Sequence, residues 1–319
     1  MVGRRADARG ARACGPLSRR SDDATTPDGT GPYAVGVTVL MFAETLVDLV
    51  CPEPVTRPAD ASAFVPRLGG SGARTAVAAA SRGAHVALAG GVGDDEWGSW
   101  LRGRLEDAGV DLTWFRLVAG ERTPVAFRTV DGDGNERADL YGQSLDRAMD
   151  AVRPRIAEAV DATDGVWISA LAHAGEREGQ LADAARARAA ERDRPVVLDL
   201  DLDPDRIASR DAVAALVASL PGTALVVATV RDARTAVRED DPAAAAEALV
   251  AAGAGMAVVV GDDAAVLRGA GVDRAVAVAG GPADRADLVG SLVAALDASG
   301  WYPAAVAAEL PRAVVATPA

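Results

Sequence analysis

Two glycine-bearing segments of this 319-residue chain have the composition needed to bring a backbone close to a ligand. The first, Leu68-Gly69-Gly70-Ser71-Gly72-Ala73-Arg74-Thr75, is a glycine turn running into a helix. Glycine permits the tight turn and leaves the main chain open to a bound molecule, although a purely structural turn has the same composition. The second is Ala279-Gly280-Gly281-Pro282-Ala283-Asp284-Arg285-Ala286-Asp287, ahead of an apolar helical run. Amides at a helix start attract anions, so Gly280 and Gly281 could cradle a phosphate and Arg285 could add a positive charge. Pro282 suits a first helical turn but supplies no N–H. Asp284 and Asp287, three apart, share one helix face. The blander reading is that these residues only start and cap a helix.

Composition limits what such sites could serve. The formal net charge is -13 and every basic side chain is an arginine, which argues against a broad nucleic-acid footprint. A small anion can still be held by backbone amides and a single arginine. Cys14 and Cys51 give neither a disulfide framework nor a metal-ligand spacing, and a reducing cytoplasm fits best. His85 and His173 anchor no mechanism. Residues 1–31 carry Arg4, Arg5, Arg9, Arg12, Arg19 and Arg20 among Gly, Ala, Ser, Asp and Pro without a continuous apolar stretch, so they read as a disordered leader rather than a signal peptide or membrane span.

The elements that must position these residues are legible as hydrophobic runs. Half of the chain is apolar but only 4% is aromatic, so the core is expected to be Ala, Val and Leu in parallel strands covered by helices on both faces. Strands are expected at 34–40, 86–89, 165–169, 195–200, 224–228 and 256–260, with a late antiparallel pair at 264–267 and 274–278. Helices are expected from Gly72 to Arg82, from Trp97 to Ala108, near 173–192, 208–220 and 242–253, and from Pro282 to Ser299. Asp94 and Asp95 suit the start of the helix they precede. Asp131-Gly132-Asp133-Gly134 between two strand-like runs signals a hairpin. The fold class is therefore α/β, a doubly wound, mostly parallel sheet with helices on both faces. The expected organisation is a leader at 1–31, one domain at 32–310 and a flexible tail at 311–319.

The glycine turn, together with Phe42-Ala43-Glu44-Thr45-Leu46-Val47-Asp48, Gly91-Val92-Gly93-Asp94-Asp95-Glu96-Trp97-Gly98 and Leu105-Glu106-Asp107-Ala108-Gly109-Val110-Asp111, closely resembles the ribokinase-like, or PfkB, carbohydrate kinases. The resemblance implies transfer of the γ-phosphoryl group of ATP, with Mg²⁺, to a hydroxyl of a small sugar or nucleoside-like molecule. It also implies a β lid, expected at about 48–68 and 118–143. Asp48 would hold sugar hydroxyls beside Gly69, Gly70 and Gly72. Gly261, in Val258-Val259-Val260-Gly261, would belong to the nucleotide-side turn with Gly280, Gly281 and Arg285. A small-molecule substrate is the partner expected, with no nucleic acid and no membrane, and a homodimer is left open.

The chain departs from the family pattern at its chemistry. Arg74 stands where an Asn is usual; an open Arg74 would favour an anionic substrate, and a closed one would pair with Asp48 or Glu44. Asp201 replaces an Asn at the end of Val197-Leu198-Asp199-Leu200. Thr229-Val230-Arg231-Asp232 lacks the Asn and Glu of the family, and Asp232 could replace the acidic member through Mg²⁺-bound water. In the family's Gly-Ala-Gly-Asp loop the Asp is the general base. Here Ala286 falls at that position, which leaves Asp287 as the expected base and Asp284 as a second catalytic carboxylate helping to hold Mg²⁺. The alternative is a catalytically inactive descendant that binds a metabolite or a partner protein.

Overall fold

The computed structural model describes residues 38–42, 44–142, 150–173, 176–202, 207, 210–278 and 284–315. The leader, the first part of the expected first strand, and Gly280, Gly281 and Pro282 lie outside the described residues.

In chain order the elements are β1 (Thr38–Phe42), β2 (Leu46–Val50), β3 (Val65–Gly69), α1 (Ser71–Ala80), β4 (His85–Gly93), α2 (Glu96–Asp107), β5 (Phe115–Val118), β6 (Val125–Val130) and β7 (Glu136–Tyr141). They continue with α3 (Ile156–Asp161), β8 (Gly165–Ser169), α4 (Glu176–Glu191), β9 (Val196–Asp199), α5 (Arg210–Ala218), β10 (Leu225–Thr229), α6 (Val230–Val237) and α7 (Pro242–Ala251). β11 (Met256–Val260), β12 (Ala264–Gly269), β13 (Val272–Ala277), α8 (Arg285–Ala298) and α9 (Pro303–Ala313) complete them. The last helix runs past the boundary expected at 310.

Side chains alternate across each strand, and here both sides are apolar. Val39 and Met41 of β1 face one core layer, which α1, α2, α8 and α9 cover through Ala76, Leu101, Leu292 and Val306. Leu40 and Phe42 face the other, covered by α3 to α7 through Ile156, Leu181, Leu216, Ala233 and Leu249. Strands buried on both faces read as continuous Val-, Leu- and Ala-rich runs, as parallel sheets require.

The main sheet has nine strands in the order β13-β12-β11-β10-β9-β8-β1-β4-β5. It is parallel from β5 to β11 and ends in the antiparallel β11-β12-β13 meander. The chain leaves β1 for β4 on one side and returns to β8 on the other, so the winding reverses between β8 and β1. In open α/β sheets ligands bind beyond the carboxyl ends of strands near such a switch. A second sheet, in the order β3-β2-β6-β7, brings together the segments around 46–69 and 125–141. Among the described residues no helix is long and apolar enough to cross a membrane.

Candidate functional site

The carboxyl ends of the parallel strands open into a cleft of about 830 Å³. Its lining comes from the turn after β1 (Glu44), the glycine-turn helix (Ser71, Arg74, Thr75), the small sheet, the turns after β8 and β9 (Leu171, Asp201), and Arg231, Arg285 and Ala286. Gly70 makes the turn possible: its φ is 89°, and a Cβ there would lie 2.5 Å from the Glu44 carbonyl oxygen. Gly69 closes β3, where a Cβ would meet the Asp48 carboxyl carbon at 2.6 Å. Gly72 is buried in the first turn of α1.

Asp48 is not among the residues lining this cleft. Its carboxylate is 4% exposed as a residue and accepts a 2.6 Å hydrogen bond from Arg128 Nε. Burial pushes its pKa up, and the charges of Arg128 and Arg74 only partly offset that. What faces the cleft is therefore the Arg128 guanidinium, a residue the sequence did not single out. Arg74 lines the cleft, and its charge reaches the Asp48 carboxylate. Its Nη2 donates to Asp284 Oδ2 at 2.5 Å.

The start of α8 assigns its two carboxylates to structural work. Asp284 is the N-cap: Oδ1 accepts from Ala286 N at 2.9 Å while Oδ2 is held by Arg74. Asp287 lies one step round the helix, where Arg82 Nη2 of the α1 end donates to it at 2.9 Å. Neither lines the cleft, whereas the intervening Ala286 does. The expected base therefore points to the α1–α8 seam, because the helical rotation of about 100° per residue that brings Ala286 to the cleft carries Asp287 away from it.

Arg285 does reach the cleft floor, but its guanidinium is committed to carboxylates. It donates to Asp199 through Nε at 2.9 Å and also through Nη2, and to Asp232 through Nη1 at 2.8 Å; Asp201 lies 3.9 Å from Nε. Asp232 is 1% exposed and forms a capping box with Thr229. Its Oδ2 accepts from Thr229 N, Thr229 Oγ1 and Arg285, and its Oδ1 from Leu202 N. Asp232 Oδ2 is thus saturated by donors, and Oδ1 is turned to the Leu202 backbone. Among the described residues no three His, Cys, Asp or Glu side chains are placed to hold a metal ion. The Mg²⁺ implied by the resemblance does not fit Asp232 as a resident ligand.

A second cleft, of about 570 Å³, lies beyond β10 and β11. Gly261 belongs to it, packed between Val230 and Pro242, with Asp262 and Asp263 on one side and Arg234 and Asp240, which pair with each other, on another. Arg231 lines both clefts, and among the described residues its guanidinium has no ion pair or hydrogen bond. A cation in the first turn of α6 opposes the helix dipole, a local cost that was the available sequence signal for it. Asp95 is an ordinary N-cap, accepting from Gly98 N and from Thr123.

A nine-stranded doubly wound sheet with a four-stranded accessory sheet beside the strand ends defines a ribokinase-like α/β protein. The sequence profile of the pfkB family of carbohydrate kinases matches residues 38–278. The chain belongs to that family. It is 40% identical over 103 residues to fructokinase-1 of Oryza sativa subsp. japonica and 36% identical over 121 residues to probable fructokinase-6, chloroplastic, of Arabidopsis thaliana. These alignments span 32% and 38% of this chain and only 32% and 30% of those relatives. The fold is shared along most of the chain. A PfkB protein from Polaromonas sp. JS666 superposes with a TM-score of 0.75 at 21% identity, covering 87% of this chain and 95% of that one. Aminoimidazole riboside kinase from Salmonella enterica, solved with aminoimidazole riboside and an ATP analogue, gives 0.70 at 20% identity over 87% and 91%.

Proposed function

We propose that the protein transfers the γ-phosphoryl group of ATP, taken up as MgATP, to a hydroxyl of a small sugar or nucleoside-like molecule. The observation that carries this reading is the pair of clefts beyond the strand ends that meet at Arg231. The smaller cleft takes the nucleotide and the larger takes the acceptor beside the glycine turn. A guanidinium shared by both clefts and unpaired among the described residues suits the phosphoryl group, whose negative charge spreads over three oxygens during transfer.

Asp201 is the cleft carboxylate contributed by the end of the main sheet, and it takes the role first expected of Asp287. The acceptor oxygen forms a bond to the γ-phosphorus as the bond to the β–γ bridging oxygen breaks. The hydroxyl proton passes to Asp201 and ADP leaves. Loss of a general base costs about 10²–10⁴-fold. Asp201→Asn is therefore expected to lower turnover about 10²-fold or more with MgATP affinity nearly unchanged, read by steady-state ADP release over a panel of sugars, sugar acids and nucleosides. Turnover like the parent's would remove Asp201 from this role.

A second reading, a binding protein without phosphoryl transfer, is favoured by the pairing of Asp284 and Asp287 with Arg74 and Arg82. It is the one that stands if no member of the panel elicits ADP release while some raise the thermal midpoint.

A further inference from the structure

Three carboxylates, two from the end of one strand and one from the start of a helix, surround one side chain. Asp199 ends β9, Asp201 follows it, and Asp232 lies in the first turn of α6. Asp199 is fully buried, Asp232 is 1% exposed, and the Asp201 side chain is 18% exposed. Collected without a cation, such a group would repel itself in a poorly solvated place. The cation present is Arg285, which binds Asp199 with two nitrogens and Asp232 with the third while lying within ion-pair distance of Asp201.

A divalent ion and a guanidinium make opposite demands on such a cluster. Mg²⁺ draws oxygens to about 2.1 Å in an octahedron, whereas guanidinium nitrogens spread the carboxylates in a plane at hydrogen-bond distance. The spacing here is of the second kind, since the 2.8 and 2.9 Å bonds run outward from different nitrogens. Among the described residues Asp199 Oδ2 is buried without a hydrogen-bond partner, an acceptor that Arg285 leaves unmet.

We propose that Arg285 is the resident cation of the Asp199–Asp201–Asp232 cluster, filling there the place of a protein-bound divalent ion. The side chain remains 22% exposed on the floor of the acceptor-side cleft, where the neutralised cluster is a fixed feature of the site. The proposal stands whether or not phosphoryl transfer occurs, and its test needs neither ATP nor an acceptor.

Titration of the full chain, free of nucleotide, with Mn²⁺ followed by electron paramagnetic resonance is expected to show no stoichiometric binding. A stoichiometric site lost in Asp199→Asn would overturn the proposal, whereas one that survives that substitution lies elsewhere and leaves the cluster to Arg285. In parallel, Arg285→Ala leaves three carboxylates without their cation and is expected to lower the thermal midpoint by about 5–10 °C. An Arg285→Ala protein as stable as the parent would show that the guanidinium neutralises nothing and would also overturn it. Should Arg285→Ala not fold, Arg285→Lys decides. A folded Lys variant supports a requirement for positive charge, and an unfolded one assigns the role to shape and overturns the resident-cation proposal.

Discussion

Asp199 has a titration behaviour that its neighbours cannot fully correct. Burial pushes its pKa up to about 6, the Arg285 charge pulls it down, and Asp201 and Asp232 push it up again. A carboxyl whose folded pKa stands above its unfolded value of 3.8 binds a proton more readily in the native state. The native state therefore gains stability as pH falls from about 6 towards 4 and loses it as pH rises through the same interval. The orphaned Oδ2 is the oxygen that takes the proton without breaking a bond already made. Asp199→Asn removes the titration, so its unfolding midpoint relative to the parent is expected to improve steadily from pH 4 to pH 7. A constant difference across that interval would mean that Asp199 titrates alike in both states. The side-chain pairings behind this behaviour were not legible in the sequence. Arg74 and Asp284 are 210 positions apart, Arg82 and Asp287 205, and Asp48 and Arg128 80. The resemblance to the family's motifs identified Arg74 and Asp48 as candidates, but only the packing of α1, α8 and β6 decides which acid each arginine meets.

Among the elements, the contact that aims the start of α8 is its crossing with α1. Gly290 sits at that crossing, where a Cβ would lie 2.7 Å from Ala78 Cβ and 2.8 Å from Ala79 N. Helix propensity alone would make Gly290→Ala stabilising by about 1 kcal/mol. The packing demands the reverse, because backbone and a methyl group of α1 cannot swing aside as a long side chain would. Gly290→Ala is expected to destabilise by about 1–3 kcal/mol, the cost of overpacking, measured by denaturant unfolding. A gain in stability would show that the helices separate freely. The buried strands were the readable part of the fold: 165–169 and 256–260 match the structure end for end, since a run apolar on both faces admits few other interpretations. β3 was missed because Val65, Pro66 and Arg67 are exposed on the edge of the small sheet, where neither alternation nor the absence of proline is required. α6 is eight residues long and announced only by its Thr229–Asp232 capping box, and α9 by Pro303 in its first turn.

Taken whole, the molecule carries a net charge of -13 yet collects five arginines, Arg74, Arg128, Arg137, Arg231 and Arg285, around the larger cleft. Four carboxylates, Glu44, Glu136, Asp139 and Asp201, line the same cleft, and Asp48, Asp199, Asp232 and Asp284 pair with its arginines, so most of that positive charge is neutralised where it stands. Such a site offers a ligand hydrogen-bond donors rather than a long-range field, which favours ligands bound by direct contact over those gathered from a distance. Most of the arginines are already paired, and the guanidinium of Arg231, unpaired among the described residues, lines both clefts. If the two clefts work as one site, removing that charge must weaken ligands on both sides, whereas changes deeper in either cleft should affect one. A ligand that binds only the native state raises its stability in proportion to the logarithm of its concentration over Kd. Thermal midpoints with MgATP, and separately with whichever sugar or sugar phosphate most stabilises the parent, therefore measure both clefts in one experiment. Arg231→Ala is expected to weaken both ligands roughly tenfold, about 1.4 kcal/mol each. Arg74→Asn is expected to weaken only anionic acceptor-side ligands, and Arg234→Ala only MgATP. Loss confined to one ligand in Arg231→Ala would separate the clefts and remove Arg231 as the residue that joins them, leaving phosphoryl transfer between them without its central charge.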